Sequence, residues 1–467
     1  MADTDPGMRP DQPRSLPLRA ALGGLKRGFE ALGVRNYRLY WTGQVVSLVG
    51  TWMQQVSLPW LVLALGGSAL QLGFVAVLQF GPAMLLAPFG GVFADRIEKR
   101  KAMIASQIAA SVQAFILFLL TATGVVEIWM VLAMAGMLGL VNAIDMPLRQ
   151  SLAPDLVPRS LLANAIALNS IAFNSARVVG PALAGVIIAL GTVATGSATA
   201  GVAINLGINT LTYAGVVTGL VRMDPRRIRR HEKPERHPPV LESLREGFNY
   251  AVNTPIVLWC LVLLGGIAAF GFNFQILLPL FADRVLDLGA AGYGALYAAM
   301  GVGSLSGSLT LAMMQRRRAI RLMLGGGVVF AALLVGIAAS RNVFVVAALI
   351  MGAGYSSMLM INTINAVVQA NVTDALRGRV MSFYVTVFAG SAPLGGLFAG
   401  AVAEAWGTPA AFLAGATLSA LTLSVVAIGI RRAAGRGVLG VTTLDTSGRT
   451  PARGAPVREA RGTSTSR

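Results

Sequence analysis

The chain has 467 residues, of which 55% are hydrophobic and only 12% charged, with a mean hydropathy of +0.67. Soluble domains are about 25% charged, so a water-soluble globule is excluded, and the length leaves room for several membrane spans of about 20 residues each. A formal charge of +18 would point to nucleic acid in a soluble protein, so the placement of that charge along the chain decides its meaning.

Residues 1–37 form a polar tail with Pro, Asp and Arg throughout and no hydrophobic signal peptide, so the first apolar span is expected to double as an uncleaved targeting signal. Twelve apolar spans follow, each bounded by charge, Pro or Gly clusters. The first six cover about 39–65, 70–94, 102–124, 126–147, 161–190 and 197–221. The second six cover about 255–282, 292–314, 322–340, 342–366, 379–404 and 409–430. Lipid offers the backbone no hydrogen-bond partner and these runs are too long for barrel strands, so they are helices. The expected fold is an all-α membrane protein with two pseudo-symmetric six-helix bundles, residues 38–221 and 255–430. A basic linker (222–254) joins them, and a tail (431–467) without periodicity is expected to be disordered.

The basic residues test the count. With twelve spans, 35 of the 38 Lys and Arg fall on one side, only Arg284 and Arg341 on the other, and Arg177 alone inside a span. A miscounted span would have mixed the two sides. By the positive-inside rule both termini and the linker are cytoplasmic, in the cell's inner membrane, and the charge faces anionic lipid rather than nucleic acid.

The two halves echo each other at an offset of about 220: Pro59 with Pro279, and the pair Gln150 and Asp155 with Gln369 and Asp374. The tetrapeptide FADR at Phe93 and again at Phe281 is a chance repeat, because the copies lie on opposite faces. In the linker, Val240, Leu241, Leu244, Phe248, Ala251 and Val252 recur at helical spacing opposite Glu242, Arg245 and Glu246, which predicts a helix lying in the membrane interface. Cys260 is the sole cysteine, and His231 and His237 share the polar linker, so neither a disulfide framework, a metal site nor a catalytic base is expected. No phosphate-binding G-x-x-x-x-G-K-[ST] is present, and GVGSLSG at 301–307 lies mid-span, where Gly303 and Gly307 serve helix packing. No cofactor and no enzymatic activity are expected.

The turn after span two reads GVFADRIEKRK. At Gly91, Phe93, Ala94, Asp95, Arg96, Lys99 and Arg100 it resembles the signature loop of the major facilitator superfamily, with Glu98 where that family has glycine. The resemblance implies a charge latch that holds the two halves together on the inner side when the cavity opens outward. In span five, ARVVGPALAG places Gly180, Pro181 and Gly185 together, a helix-bend element that resembles the G-P-x-x-small-G of the family's exporters. SAPLGG at 391–396 is a weaker echo of it.

Arg177 is the one ionisable residue expected near mid-membrane, at about 2.5–3.5 kcal/mol on insertion scales. It is expected either to face the cavity and contact an anionic or carbonyl-rich cargo, or to cap backbone loosened by Pro181. Asn174 shares its helix face. Further uncharged polar residues at membrane depth are Gln54, Gln55, Gln79, Asn169, Asn205, Asn209, Asn273, Gln275, Tyr355, Asn362 and Asn365, which with many Phe and Met predict an amphipathic cavity. Asp145, at the inner end of span four, is the weak candidate for coupling to an ion.

Two longer stretches, residues 35–62 and 145–185, are similar to the enterobactin-exporter-like permeases and their multidrug relatives. That resemblance implies export of a small amphipathic compound, a siderophore or a drug, by alternating access driven by an ion gradient; the expected coupling ion is H+, although the chain has no carboxylate placed at mid-depth as proton antiporters commonly have, and the expected state is a monomer. Import of a polar nutrient and a non-transporting scaffold are the other readings; an importer calls for more cavity charge than Arg177 alone.

Overall fold

The computed structural model of the chain describes residues 28–228, 240–314 and 319–435; for the helical positions 87–96, 240–241, 243–244 and 374–375 only the backbone is described. His231, His237, residues 1–27 and the tail beyond Gly435 lie outside these residues. The described chain is helical, without a strand. The amino-terminal half comprises α1 (Arg35–Ala64), α2 (Ala69–Arg96), α3 (Lys99–Ala122), α4 (Ile128–Asp155), α5 (Leu162–Thr195) and α6 (Ala198–Val221). A separate helix, α7 (Val240–Asn253), precedes the second half. That half comprises α8 (Pro255–Phe270), α9 (Phe274–Arg284), α10 (Gly289–Met313), α11 (Ala319–Ala339), α12 (Val343–Ala370), α13 (Asp374–Trp406) and α14 (Thr408–Gly435).

Eleven segments of the described residues are long and apolar enough to span a membrane. The first helix, α1, falls short of that measure although it is 30 residues long, because it carries Arg35, Arg38, Gln44, Gln54 and Gln55. Gln44 and Gln54 are buried in the bundle, whereas Arg35 and Arg38 are exposed. One predicted span differs in kind: 255–282 is broken at 271–273 into α8 and α9. Asn273, at the amino-terminal cap of α9, donates from Nδ2 to the Ala269 carbonyl at 2.8 Å, so the side chain satisfies a carbonyl near the break.

Each half packs in the same pattern. In the first, α1 lies on α5 and α6, α2 on α4, and α3 on α4 and α6. In the second, the broken helix lies on α13 and α14, α10 on α12, and α11 on α12 and α14. The halves meet along two long seams, α2 against α13 and α5 against α10. Small residues allow this approach: a Cβ on Gly73 would stand 2.7 Å from the Gly396 carbonyl oxygen, and one on Gly400 2.7 Å from that of Ala69.

The seams are tightest toward the base-poor end. There the Ala69 amide donates to Glu404 at 2.8 Å, and Arg284 donates to the Gly67 carbonyl at 3.2 Å. An acid from one half thus caps the start of α2, while a base from the same half meets the loop just past α1; both match the helix dipoles. Toward the other end, where α7 lies and touches α2, the seam faces of α5 and α10 run out of partners. Continuing the α5 contact face of Val178, Pro181 and Gly185 down the helix reaches Ile171, Ser170 and Ala167, all exposed. The matching face of α10 continues to Leu305 and Ala312, also exposed. Along α5 and α10 the halves are therefore in contact toward the base-poor end and expose these faces toward the basic end.

The linker helix α7 docks on the second half through ion pairing of Glu246 with Arg379, a hydrogen bond of 2.9 Å from the Tyr250 hydroxyl to the Asn371 carbonyl, and an edge contact of Phe248 with Phe383.

Candidate functional site

Arg177 stands on the seam between α5 and α10, its carbonyl oxygen close to Gly301. It lies fifteen residues along α5, about 22 Å from its start at ~1.5 Å per residue, and its side chain is only 8% exposed. Its guanidinium carbon sits 5.8 Å from the centroid of the Trp52 ring, in cation–π range. Tyr297 of the opposite half lies beside it and is hydrogen-bonded to Gln275. The Arg177 Nε is buried with no acceptor among the described residues. Leaving a buried donor unpaired costs about 1–3 kcal/mol, more for a charged group, so this arginine is held at a stability cost.

Aromatic rings carry the seam around it. Trp52 meets Phe173 at 5.6 Å and Tyr297 at 6.4 Å, Tyr297 meets Tyr293 at 6.0 Å, and Tyr293 stacks on Trp60 at 6.0 Å. Gly180 makes this arrangement possible: a Cβ there would lie 2.5 Å from the Trp52 Cβ and 2.9 Å from the Val49 carbonyl oxygen. Gly185 does the same for α10, its Cβ position lying 2.8 Å from the Ala290 oxygen and 2.9 Å from the Gly294 Cα. Pro181 between them is buried within an α5 that runs unbroken from Leu162 to Thr195. None of these rings is singled out by the sequence pattern, because an aromatic residue in an apolar span reads as lipid or core.

A Gly185→Val variant is expected to hold the base-poor end ajar, since the added atoms meet backbone that cannot yield. In a Cys260→Ala background, maleimide labelling of a Tyr293→Cys probe from that side should rise several-fold; unchanged labelling would mean that this seam does not limit access.

The remaining polar residues divide into two groups. Gln54 is fully buried inside the first half, donating to Gln113 at 3.0 Å and accepting from Asn209 at 2.6 Å, so it ties α1 to α3 and α6 rather than lining the expected cavity. Asn205 likewise bonds Ser57 and the Met53 carbonyl. Asn169 accepts from the Tyr37 hydroxyl at 3.1 Å, and Asn365 from Gln369 at 2.5 Å. Asn362 donates to Ser308 at 3.0 Å, bridging α12 to α10, and half-buried Tyr355 packs its backbone on Gly303 and Gly307. Asn273 is occupied at the helix break. Gln79 donates to Gln55 at 3.1 Å across α1 and α2, and Gln275 reaches Tyr297 beside Arg177. Asn174, half-buried and one turn from Arg177, turns back to the Ser170 carbonyl at 2.8 Å instead of pairing with Arg177.

Asp145 lies within a helix that runs on past the expected end of span four. The expected span ended at 147 because Asp145, Pro147 and Arg149 together read as an interface, yet α4 continues to Asp155. Asp145 therefore sits ten residues, about 15 Å, inside the helix end and is 3% exposed. It accepts from Ser106 and Gln107, each at 2.7 Å, and pairs with Arg149 one turn away. Arg149 in turn donates to Gln44 at 2.6 Å. The i,i+4 spacing of acid and base was the available signal for this pair. Arg177 takes no part in it.

In the turn between α2 and α3, the side chains of Gly91, Asp95 and Arg96 lie outside the described residues. Lys99 pairs with Asp155 at 2.7 Å, and Arg100 donates to the Leu220 and Val221 carbonyls at 2.7 and 2.9 Å, where a cation meets the negative end of α6. Both contacts stay within the first half.

Two six-helix halves packed along two seams are the architecture of a major facilitator transporter. Residues 27–438 match the model of the transmembrane secretion effector family, and the chain belongs to that family. It is 23% identical over 372 residues to the staphyloferrin A transporter of Staphylococcus aureus, covering 79% of this chain and 90% of that one. It is 27% identical over 391 residues to the multidrug efflux pump Tap of Mycolicibacterium fortuitum, covering 81% and 91%. With the enterobactin exporter EntS of Escherichia coli it shares 27% over 276 residues, 59% of this chain and 62% of that one. Solved structures of the same fold include a bacterial homologue of the iron transporter ferroportin (TM-score 0.67, 15% identical, 85% and 98% covered). Another is a bacterial homologue of the human lysosomal transporter Spinster (TM-score 0.64, 15% identical, 84% and 94% covered). The protein is thus a multi-pass membrane transporter of small molecules, not an enzyme.

Proposed function

We propose that this transporter exports a small amphipathic compound, siderophore-like or drug-like, by alternating access across the inner membrane, as a monomer coupled to H+. The observation that carries the reading is Arg177: a buried side chain whose Nε has no acceptor among the described residues, laid on Trp52 at the α5–α10 seam, where we place the apex of an amphipathic cargo vestibule. A compound with a flat apolar body and one acidic or carbonyl-rich group matches it. The named relatives, two of them siderophore or drug exporters by their descriptions, support the direction.

With the basic end cytoplasmic, as the charge distribution supports, the vestibule opens inward and is poised to load cargo from inside the cell. Gln55, Gln79, Asn174, Gln275, Tyr355 and Asn362 are assigned to the cargo path beside Arg177. Gly180, Pro181 and Gly185 form the seam that parts when the outer end opens, and Gly91, Asp95, Arg96, Lys99 and Arg100 form the inner latch that then engages. Asp145 is the residue assigned to coupling.

Inside-out vesicles containing the protein test the reading. An imposed pH gradient, acid inside, is expected to drive uptake of a siderophore or an amphipathic dye, and a protonophore to abolish it. Absence of gradient-driven uptake across a broad panel, with protein present and folded, would remove the export reading.

A further inference from the structure

We propose that the groove between the end of α7, the start of α8 and the last turns of α14 binds an anionic phospholipid from the membrane leaflet at the basic end. The groove has a volume of about 620 Å³ and is walled by Val252, Leu258, Trp259 and Ile428, with Arg432 at its mouth. It lies on the outer surface of the second half: α14 packs on α8, α9, α11 and α13 of its own half, and Val425 and Ile428 are 46% and 50% exposed. In a bilayer that surface meets lipid rather than the vestibule.

Three features distinguish this groove from ordinary lipid-facing surface. Gly429 lets the Trp259 indole lie against α14, since a Cβ at that position would fall 2.2 Å from the ring; the indole forms the floor. An indole at this depth is an interfacial anchor. Arg432 is exposed and makes no ion pair or hydrogen bond among the described residues, Arg431 stands next to it, and no carboxylate lines the groove. The charge is therefore uncompensated at the level of the lipid headgroups, where a phosphate oxygen accepts charge-assisted bonds from a guanidinium. A second surface groove, between α11 and α14, holds about 470 Å³ but is lined by Val328, Ala331, Val335, Thr417 and similar residues without any charge. That one offers an acyl chain nothing for its headgroup.

The chemistry selects a lipid with acyl chains for the apolar walls and a net negative headgroup for Arg432. This site is independent of cargo, and its occupancy would pin α7 and α14 together beside the linker.

Native mass spectrometry on the full chain, purified in detergent and offered phosphatidylglycerol or chain-matched phosphatidylcholine, tests it. The wild type is expected to retain phosphatidylglycerol about fivefold better than phosphatidylcholine. Arg432→Gln should erase that preference, Arg432→Lys should keep most of it, and Ile428→Trp, which fills the groove, should lower retention of both lipids. Equal retention of the two lipids by the wild type, or an unchanged preference in Arg432→Gln, would overturn the proposal. If Arg432→Gln does not fold, undiminished retention by a monodisperse Ile428→Trp variant would overturn it equally.

Discussion

Replacing Arg177 by glutamine is expected to lower transport of an anionic cargo about tenfold to a hundredfold, the loss of one charge-assisted hydrogen bond worth ~1.5–3 kcal/mol. A neutral amphipathic dye of similar size should be affected much less, because the apolar walls and the rings of Trp52 and Phe173 remain. Arg177→Glu should go further and turn the preference toward cationic dyes. These expectations separate the two roles the sequence leaves open. If Arg177 capped strained backbone near Pro181, its removal would lower thermal stability. As a donor kept buried without an acceptor, it is instead held at a cost, so Arg177→Met should be as stable as the wild type or more so. Normal transport of anionic cargo by Arg177→Gln at normal expression would remove the cargo role, and a lower melting temperature of Arg177→Met would favour the cap.

Replacing Arg149 by alanine is expected to be the most destabilising single change in the first half, about 3–5 kcal/mol, read as a lower melting temperature and poor recovery from the membrane. It strands the Asp145 carboxylate inside a helical bundle with only the Ser106 and Gln107 donors. The paired change Asp145→Asn with Arg149→Gln removes both charges and keeps the hydrogen-bonding shape, so most of the stability should return. That folded double variant also tests coupling. If Asp145 carries the coupling proton, the double variant should lose uphill, gradient-driven uptake and keep cargo exchange at equal concentrations on both sides. Uphill uptake at wild-type levels would release Asp145 from that role and leave the pair as a structural tie.

The helical spans were legible because a bilayer imposes local rules. A segment of suitable length and apolarity must be a helix, and Lys and Arg sort by side whatever the helices touch. The end of α4 shows where such rules stop. An acid, a proline and an arginine within five residues look like a membrane edge, yet a base one turn away neutralises the acid and lets the helix run on to Asp155. Gln54 and Gln55 make the same point, since adjacent residues of one type point to different surroundings. Gln54 enters the core toward Gln113 and Asn209, while Gln55 faces Gln79 near the seam.

The sequence by itself therefore determined the class of the protein, its twelve spans, its two related halves and the isolation of one arginine among them, because each follows from hydropathy and charge along the chain. Only the tertiary structure decided what surrounds that arginine, which helices of the two halves meet, and which polar side chains are already occupied. Those outcomes depend on residues such as Trp52, Arg177 and Tyr297, more than a hundred positions apart, meeting where glycines let three helices approach, and no periodicity within one helix records its neighbours.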